Sequence, residues 1–349
     1  MHFFTLAVAA ATAASAATIP QKRGTATAEA PAASSSGAFE FFGINESGAE
    51  FGNTNIPGVY GTDYTWYDLS TIDTWISAGM NIFRINLLME RLTPSGLTGA
   101  LDSAYSGNLT QTVNYITQKG AYAIITPHNY GRFNNAIITD TSGFGTWWKN
   151  VAKLYASNSK VVFDTNNEYH DMDQSLVVNL NQAAINGIRA AGATSQYITP
   201  EGNAYTGAWS WTLDNSAGNN GATMGALTDP SNKLIYQMHQ YLDSDFSGTS
   251  ATCNNATALS DTLKSATAWL RANNKVGFLG EFAGGINSLC EEAITDGLNY
   301  MRSNADVWKG AAWWAAGPWW GTYLYSAEPT SGVAYQYVTQ LAKTYGVKV

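Results

Sequence analysis

Charge is scarce in this chain. Only 13% of its 349 residues are Asp, Glu, Lys or Arg, where soluble domains carry about a quarter. The 18 basic residues are outnumbered by 26 acidic ones, for a formal net charge of -8. No basic face is on offer to phosphates, which excludes a nucleic-acid partner. Long apolar runs are missing as well. Nothing reaches the roughly 18 residues needed to cross a bilayer, so no membrane partner is expected. Cysteine is limited to Cys253 and Cys290, neither beside a histidine at metal-ligand spacing, which leaves no zinc site. No repeat of about twenty to fifty residues is present, which excludes a solenoid.

What is plentiful is Gly (33), Tyr (19) and Trp (12), with a surface built from Ser, Thr, Asn and Gln. That composition is common in secreted proteins, and the N-terminus agrees. Phe3–Ala13 is a short apolar core and Ala14-Ser15-Ala16 a small-residue cleavage site, so residues 1–16 are expected to be a signal peptide. Residues 17–37 contain the dibasic pair Lys22-Arg23 and an Ala/Ser/Thr-rich run that cannot bury a core, a propeptide and low-complexity linker remnant. In an oxidising compartment Cys253 and Cys290 are expected to pair as one disulfide.

From residue 38 to 349 short β-prone runs alternate with amphipathic segments. The strands expected are Phe39–Asn45, Asn81–Leu87, Tyr122–Thr126, Val161–Phe163, Tyr197–Thr199, Leu234–His239, Val276–Glu281 and Gly310–Ala315. Helical spacing recurs over Trp66–Ala78, Leu109–Gln118, Thr146–Ala156, Gln174–Ala190, Ala258–Ala272, Cys290–Arg302 and Val333–Thr344. Residues 201–230 are too long for a simple connector and are expected to be functional or inserted. Eight strands alternating with crossovers is the pattern of an α/β chain closed into a (β/α)8 TIM barrel, here as a single catalytic domain. A doubly wound sheet would want a phosphate loop after the first strand, and Gly43-Ile44-Asn45-Glu46-Ser47-Gly48 lacks the GxGxxG spacing.

In such a barrel the site lies at the C-terminal mouth. The strand ends present Arg84 and Asn86, His128 and Asn129, Asn167 and Glu168, His239 and Tyr241, Glu281, and Trp313 with Trp314. Buried charges need partners, so Arg84 and the two glutamates should lie near one another or near a ligand. Taken singly, each is as readily a structural residue; taken together they converge on one rim. Two carboxylates on the fourth and seventh strands suit glycosidic bond cleavage, one protonated to donate and one ionised to attack. Arg84 and the Tyr241 hydroxyl are candidate partners for the ionised one, whichever glutamate that is. Tyr205, Trp209, Trp211, Trp313, Trp314, Trp319 and Trp320 fall in loops or at strand ends, where indole and phenol planes can stack on sugar rings.

At these residues the chain resembles the family five glycoside hydrolases of clan A, most closely the fungal endo-β-1,4-glucanases (cellulases). The resemblance runs from Phe39 to Val349. It rests on FRIN at Phe83–Asn86, PHNY at Pro127–Tyr130, NNEYHDM at Asn166–Met172, MHQY at Met238–Tyr241, LGEF at Leu279–Phe282 and WWAAGPWWG at Trp313–Gly321. It implies Glu168 as general acid/base and Glu281 as nucleophile in a retaining double displacement. It implies further that Asn167 binds a sugar 2-hydroxyl, that Arg84 and Tyr241 hold Glu281 ionised, and that His239 bonds near Glu168. His128 would contact sugar hydroxyls and Trp314 would stack at the scissile subsite. Where the family commonly has NEP, this chain has NEY, as in the fungal subgroup. The expectation is a secreted, extracellular, monomeric enzyme acting on β-1,4-glucan, with no cofactor and no metal. A β-mannanase, a xyloglucan- or mixed-linkage-active enzyme and a non-catalytic carbohydrate-binding barrel are the alternatives. The last would be marked by loss of a glutamate, and both are present. Asn45, Asn108 and Asn255 head N-glycosylation triplets; Asn45 is expected to be buried and unmodified, the other two exposed.

Overall fold

A computed structural model describes residues 37–214 and 218–349. The expected signal peptide, and the linker remnant up to residue 36, lie outside the described residues. The eight parallel strands are β1 (Phe41–Glu46), β2 (Ile82–Leu87), β3 (Tyr122–Pro127), β4 (Val161–Asp164), β5 (Tyr197–Thr199), β6 (Tyr236–Tyr241), β7 (Gly277–Ala283) and β8 (Trp308–Ala316). They are hydrogen-bonded in the order β5-β4-β3-β2-β1-β8-β7-β6. The ring closes between β5 and β6 through isolated parallel bridges at Ile198–Leu234, Glu201–Gln237 and Gly207–His239. Around it pack α1 (Ser70–Ala78), α2 (Ser103–Gln118), α3 (Thr141–Lys153), α4 (Gln174–Ala190), α5 (Ala258–Ala272), α6 (Ser288–Ser303) and α7 (Tyr335–Tyr345). With side chains filling one face and helices covering the other, β1, β2, β4 and β7 are buried at every position.

The period-2 alternation of a strand sorts the barrel interior into layers. Phe41, Ile82, Ile124, Val162, Ile235, Phe278 and Ala312 form one apolar cluster inside the ring. Two residues further along β2, β3, β4 and β6 come Arg84, Thr126, Asp164 and Gln237, all buried. One more step along β2 and β6 gives Asn86 and His239. Apolar floor, polar layer and mouth are thus stacked by spacing alone.

Strand β7 departs from this rule. Met238 pairs with Leu279 and His239 with Glu281, and on the other side Ala311 pairs with Leu279 while Trp313 pairs with Phe282. Both neighbours count one extra residue on β7, a bulge at Gly280. Continued alternation from Phe278 would send Glu281 outward to the helices. The bulge turns it inward, level with His239. Gly280 also leaves room for Gln237, whose side chain would lie 2.5 Å from a Cβ at that position.

The expected strands and helices are all present, with unchanged limits at Tyr197–Thr199, Gln174–Ala190 and Ala258–Ala272 and shifted limits elsewhere. Helices α2 and α3 start at Ser103 and Thr141, ahead of the expected Leu109 and Thr146, because the Asp102 and Asp140 carboxylates cap their polar first turns. Helix α1 starts at Ser70, after the expected Trp66. Strand β6 is shifted two residues onward. Asn45 is buried, Asn255 is exposed, and Asn108, expected exposed, is half-buried on α2. Among the described residues no helix is long and apolar enough to cross a membrane.

Cys253 and Cys290 form a disulfide across 37 residues of sequence, joining the segment after β6 to the first turn of α6. Closing a loop of that length restricts the unfolded chain, so replacing both cysteines by serine should cost about 2–4 kcal/mol of stability. Denaturant unfolding of the paired variant measures it.

Candidate active site

Arg84 sits at the centre of the polar layer and is fully buried. Its Nε and Nη2 donate to Asp164 Oδ2 at 3.1 and 3.0 Å. Nη1 donates to Glu281 Oε1 at 2.7 Å, Asn45 Oδ1 at 2.9 Å and Asn86 Oδ1 at 3.2 Å. Nη2 also donates to Asn167 Oδ1 at 2.6 Å and Glu201 Oε1 at 3.1 Å. A buried guanidinium is tolerable only with this degree of pairing, and the surrounding carboxylates hold it firmly protonated despite burial.

Glu281 receives Arg84 on one oxygen and the Tyr241 hydroxyl, at 2.7 Å, on the other. His128 Nε2 lies 3.8 Å from Oε1 and His239 Nδ1 3.7 Å from Oε2. Burial alone would raise this carboxyl. The field of His239, the contact with His128 and the charge of Arg84 outweigh it and hold Glu281 well below the usual carboxylate range. Burial, together with the charge of Glu281, keeps the Tyr241 phenol neutral and able to donate.

Glu168 follows β4 in a left-handed backbone conformation, φ 49°. Its Oε1 lies 2.7 Å from His239 Nδ1 and its backbone N–H donates to Glu201 Oε2 at 2.6 Å. Burial and the negative charge of Glu281 push its carboxyl up to about 7, against the opposing pull of His239. A Glu168 oxygen, a Glu281 oxygen and a His239 ring nitrogen all lie within 4.8 Å of one another. The two carboxyls are therefore adjacent, unlike in environment, and poised for opposite protonation states.

Asn167 precedes Glu168, with its backbone N–H on Pro127 O at 2.9 Å. Its Oδ1 is taken by Arg84, while its buried Nδ2 has no hydrogen-bond partner among the described residues. His128 stacks on Trp314 with ring centroids 5.3 Å apart and planes 23° apart. All eight site residues named from sequence thus fall in one connected cluster.

Above them opens a cleft of about 1030 Å³. Trp314, Tyr323, Tyr205, Trp209 and Phe246 are among the residues that line it. In Trp-Ser-Trp at 209–211 the chain turns rather than runs as a strand, and the pair is divided. Trp209 is 41% exposed on the cleft, and Trp211 is buried against Tyr236 and Trp269. Trp313 is likewise core, while Trp319 stands exposed. Tyr205 lies flat on His170, centroids 4.3 Å apart, at the rim.

Three buried members of the cluster were not anticipated: Asp164, Gln237 and Glu201. Asp164 ends an apolar strand, where a charged residue on the inward phase signals a polar layer. Glu201 follows β5 by two residues, at the head of the long connector 201–230, where nothing local marks it as buried. Gln237 offers no signal beyond its inward phase.

The profile of the family described as Cellulase (glycosyl hydrolase family 5) matches residues 44–317. The chain is 58% identical over 313 residues to endoglucanase gh5-1 of Neurospora crassa, covering 90% of this chain and 79% of that one. It is 58% identical over 307 residues to a probable endo-beta-1,4-glucanase B of Aspergillus oryzae, covering 88% and 90%. Among solved structures, XacCel5A in complex with cellopentaose superposes with a TM-score of 0.84 at 34% identity, covering 88% of this chain and 99% of that one.

A reaction that requires Glu168 protonated and Glu281 ionised would take its pH dependence from this pair. Activity should fall as pH rises through about 7, where Glu168 loses its proton. On the acid side it should persist until Glu281 is protonated, well below the ordinary carboxylate range. A kcat/KM profile with a broad acid shoulder and an alkaline limb near neutrality is the expected result.

Proposed function

The chain belongs to the cellulases of glycosyl hydrolase family 5 and has the activity of an endo-β-1,4-glucanase, and we propose that it cuts its glucan by a retaining double displacement through Glu168 and Glu281. The observation that carries this reading is the spacing of the two carboxyls, whose nearest oxygens are within 4.8 Å. Retaining enzymes hold the pair about 5–5.5 Å apart, whereas inverting ones leave about 6.5–9.5 Å for a water.

Glu168, protonated at the pH of catalysis, gives its proton to the glycosidic oxygen as the bond to the anomeric carbon breaks. Glu281, held ionised, forms the new bond to that carbon, giving a covalent glycosyl-enzyme and releasing the aglycone. Glu168, now ionised, takes a proton from a water that attacks the same carbon and frees Glu281. Two inversions restore the original β configuration. His239 steadies the acid, and Tyr241 with Arg84 stabilises the charge on Glu281. The unpartnered Asn167 Nδ2 is available to the sugar 2-hydroxyl, an interaction that strengthens in the transition state. Trp314, backed by His128, forms the platform for the ring under attack. Tyr205 and Trp209 offer planes to the departing side, and His128 also reaches sugar hydroxyls.

Extracellular work as a monomer is part of the proposal. It is supported by the signal-like N-terminus, the low charge and a disulfide of the kind oxidising compartments allow.

Glu168→Gln and Glu281→Gln should each lower kcat on soluble cellulose by about a hundredfold or more, with the melting transition retained. Proton NMR of freshly released oligosaccharide should show the β anomer first. An α anomer appearing first, or near-normal turnover in either variant, contradicts the assignment.

A further inference from the structure

Beneath the catalytic pair, one cation faces three carboxylates. Arg84 contacts Glu281, Asp164 and Glu201, and all three are buried. A single guanidinium cannot neutralise three anions removed from water. Two of the three also compete for the same donors. Arg84 Nη2 lies 3.0 Å from Asp164 Oδ2 and 3.1 Å from Glu201 Oε1. Gln237 Nε2 donates to Asp164 Oδ2 at 2.7 Å and is also bonded to Glu201 Oε1. Buried carboxyls drawn onto common donors repel each other when both are ionised, which favours one of them keeping a proton.

Glu201 reaches Glu168 by two routes. Its Oε2 accepts the Glu168 backbone N–H at 2.6 Å. Its Oε1 lies 3.5 Å from His239 Nε2, the ring whose Nδ1 meets Glu168 Oε1 at 2.7 Å. The first route matters because Glu168 holds a φ of 49°, a region a non-glycine residue keeps only when its surroundings impose it. Glu201 is itself immobilised at the barrel seam, bridged to Gln237. It is fully buried, below the cleft floor, and does not line the cleft.

We propose that Glu201 is a positioning residue for the general acid: it fixes the backbone of Glu168 and, by sharing one proton with Asp164, sets the negative charge that Glu168 faces. The proposal rests on Glu168 being the acid. The groups facing Glu201 are Arg84 from β2, Asp164 from β4, Tyr169 beyond it, His239 and Gln237 from β6, and Glu281 from β7. Burial and Glu201 push Asp164 up to about 8, and burial raises Glu201 as well, consistent with a proton held between the two. Charge placed on Glu201 raises the Glu168 carboxyl; charge moved to Asp164, further away, relieves it.

The two halves separate experimentally. In the full chain, Glu201→Ala removes the acceptor for the Glu168 N–H. It should lower kcat on cellopentaose by about tenfold or more while KM changes by less than about threefold. For dinitrophenyl β-cellobioside, whose leaving group needs no proton, kcat/KM, which reports the first step alone and not the base-assisted second step, should stay within about threefold of wild type. Glu201→Gln restores an acceptor without the charge. It should recover most of the cellopentaose turnover yet shift the alkaline limb of the pH profile to lower pH. Asp164→Asn, which leaves the charge on Glu201, should shift that limb to higher pH. Equal losses on both substrates in Glu201→Ala would overturn the positioning role. Alkaline limbs that stay in place, or move together, in the Gln and Asn variants would overturn the shared proton. If Glu201→Ala does not fold, the opposed shifts of the other two variants decide the proposal. Glu168→Gln, assayed alongside, tells the two readings apart. If it too fails to distinguish the leaving groups, the acid assignment falls. If it distinguishes them and Glu201→Ala does not, only the role of Glu201 falls.

Discussion

The buried guanidinium of Arg84 is the constraint on which the rest of the site depends. It sits where the barrel interior passes from apolar floor to open cleft, and it touches residues from β1, β2, β4 and β7. Left alone there it would be strongly unfavourable. Paired, it organises every polar group around it. The carboxyl it bonds directly, Glu281, is held ionised. Glu168, bonded by no guanidinium and close to the charge of Glu281, is left protonated near neutrality. Two glutamates of identical chemistry are thereby given opposite protonation states, by His239, His128 and Arg84 around Glu281 and by burial and the charge of Glu281 around Glu168. Removing Arg84 would leave the buried carboxylates it pairs uncompensated, a loss of about 3–5 kcal/mol for breaking even one buried pair.

Geometry delivers the two glutamates by different means. Glu168 is brought in by a left-handed turn beyond β4, and Glu281 by a bulge within β7. Neither sits where regular strand geometry would put it. Both departures are local, and each is braced by the barrel around it: the turn by Glu201 and Pro127, the bulge by the pairing of β7 with β6 and β8. Above this rigid floor the cleft is lined by aromatic side chains, Trp314, Tyr205 and Trp209 among them. Flat, largely uncharged walls suit an extended neutral polysaccharide that is gripped along its sugar faces.

The barrel was legible in the sequence because its signals are local. Fully buried strands leave unbroken apolar runs, and helices punctuated by Gly79, Gly120 and Gly192 end where glycine allows. The rim residues were legible because polar side chains at the ends of such runs have few other places to go. Asp164 and Glu201 were missed because their meaning is non-local. They are brought together with Arg84 only by ring closure, and no spacing along the chain announces that. The Gly280 bulge was invisible for a related reason. Alternation from Phe278 points Glu281 away from the site, and only the pairing register of both neighbours reverses it. Helix starts slipped where Asp102 and Asp140 cap turns with few apolar residues, so that periodicity had nothing to detect.

The most direct test of this division of charge is a site-resolved titration of the two glutamate side chains by carbon NMR, with each carboxyl assigned by its Gln variant. The account predicts that the Glu168 carboxyl carbon titrates near pH about 7, while that of Glu281 stays at its ionised shift from neutrality down into the acid range. The reverse order, with Glu281 taking up the first proton on acidification, would contradict it.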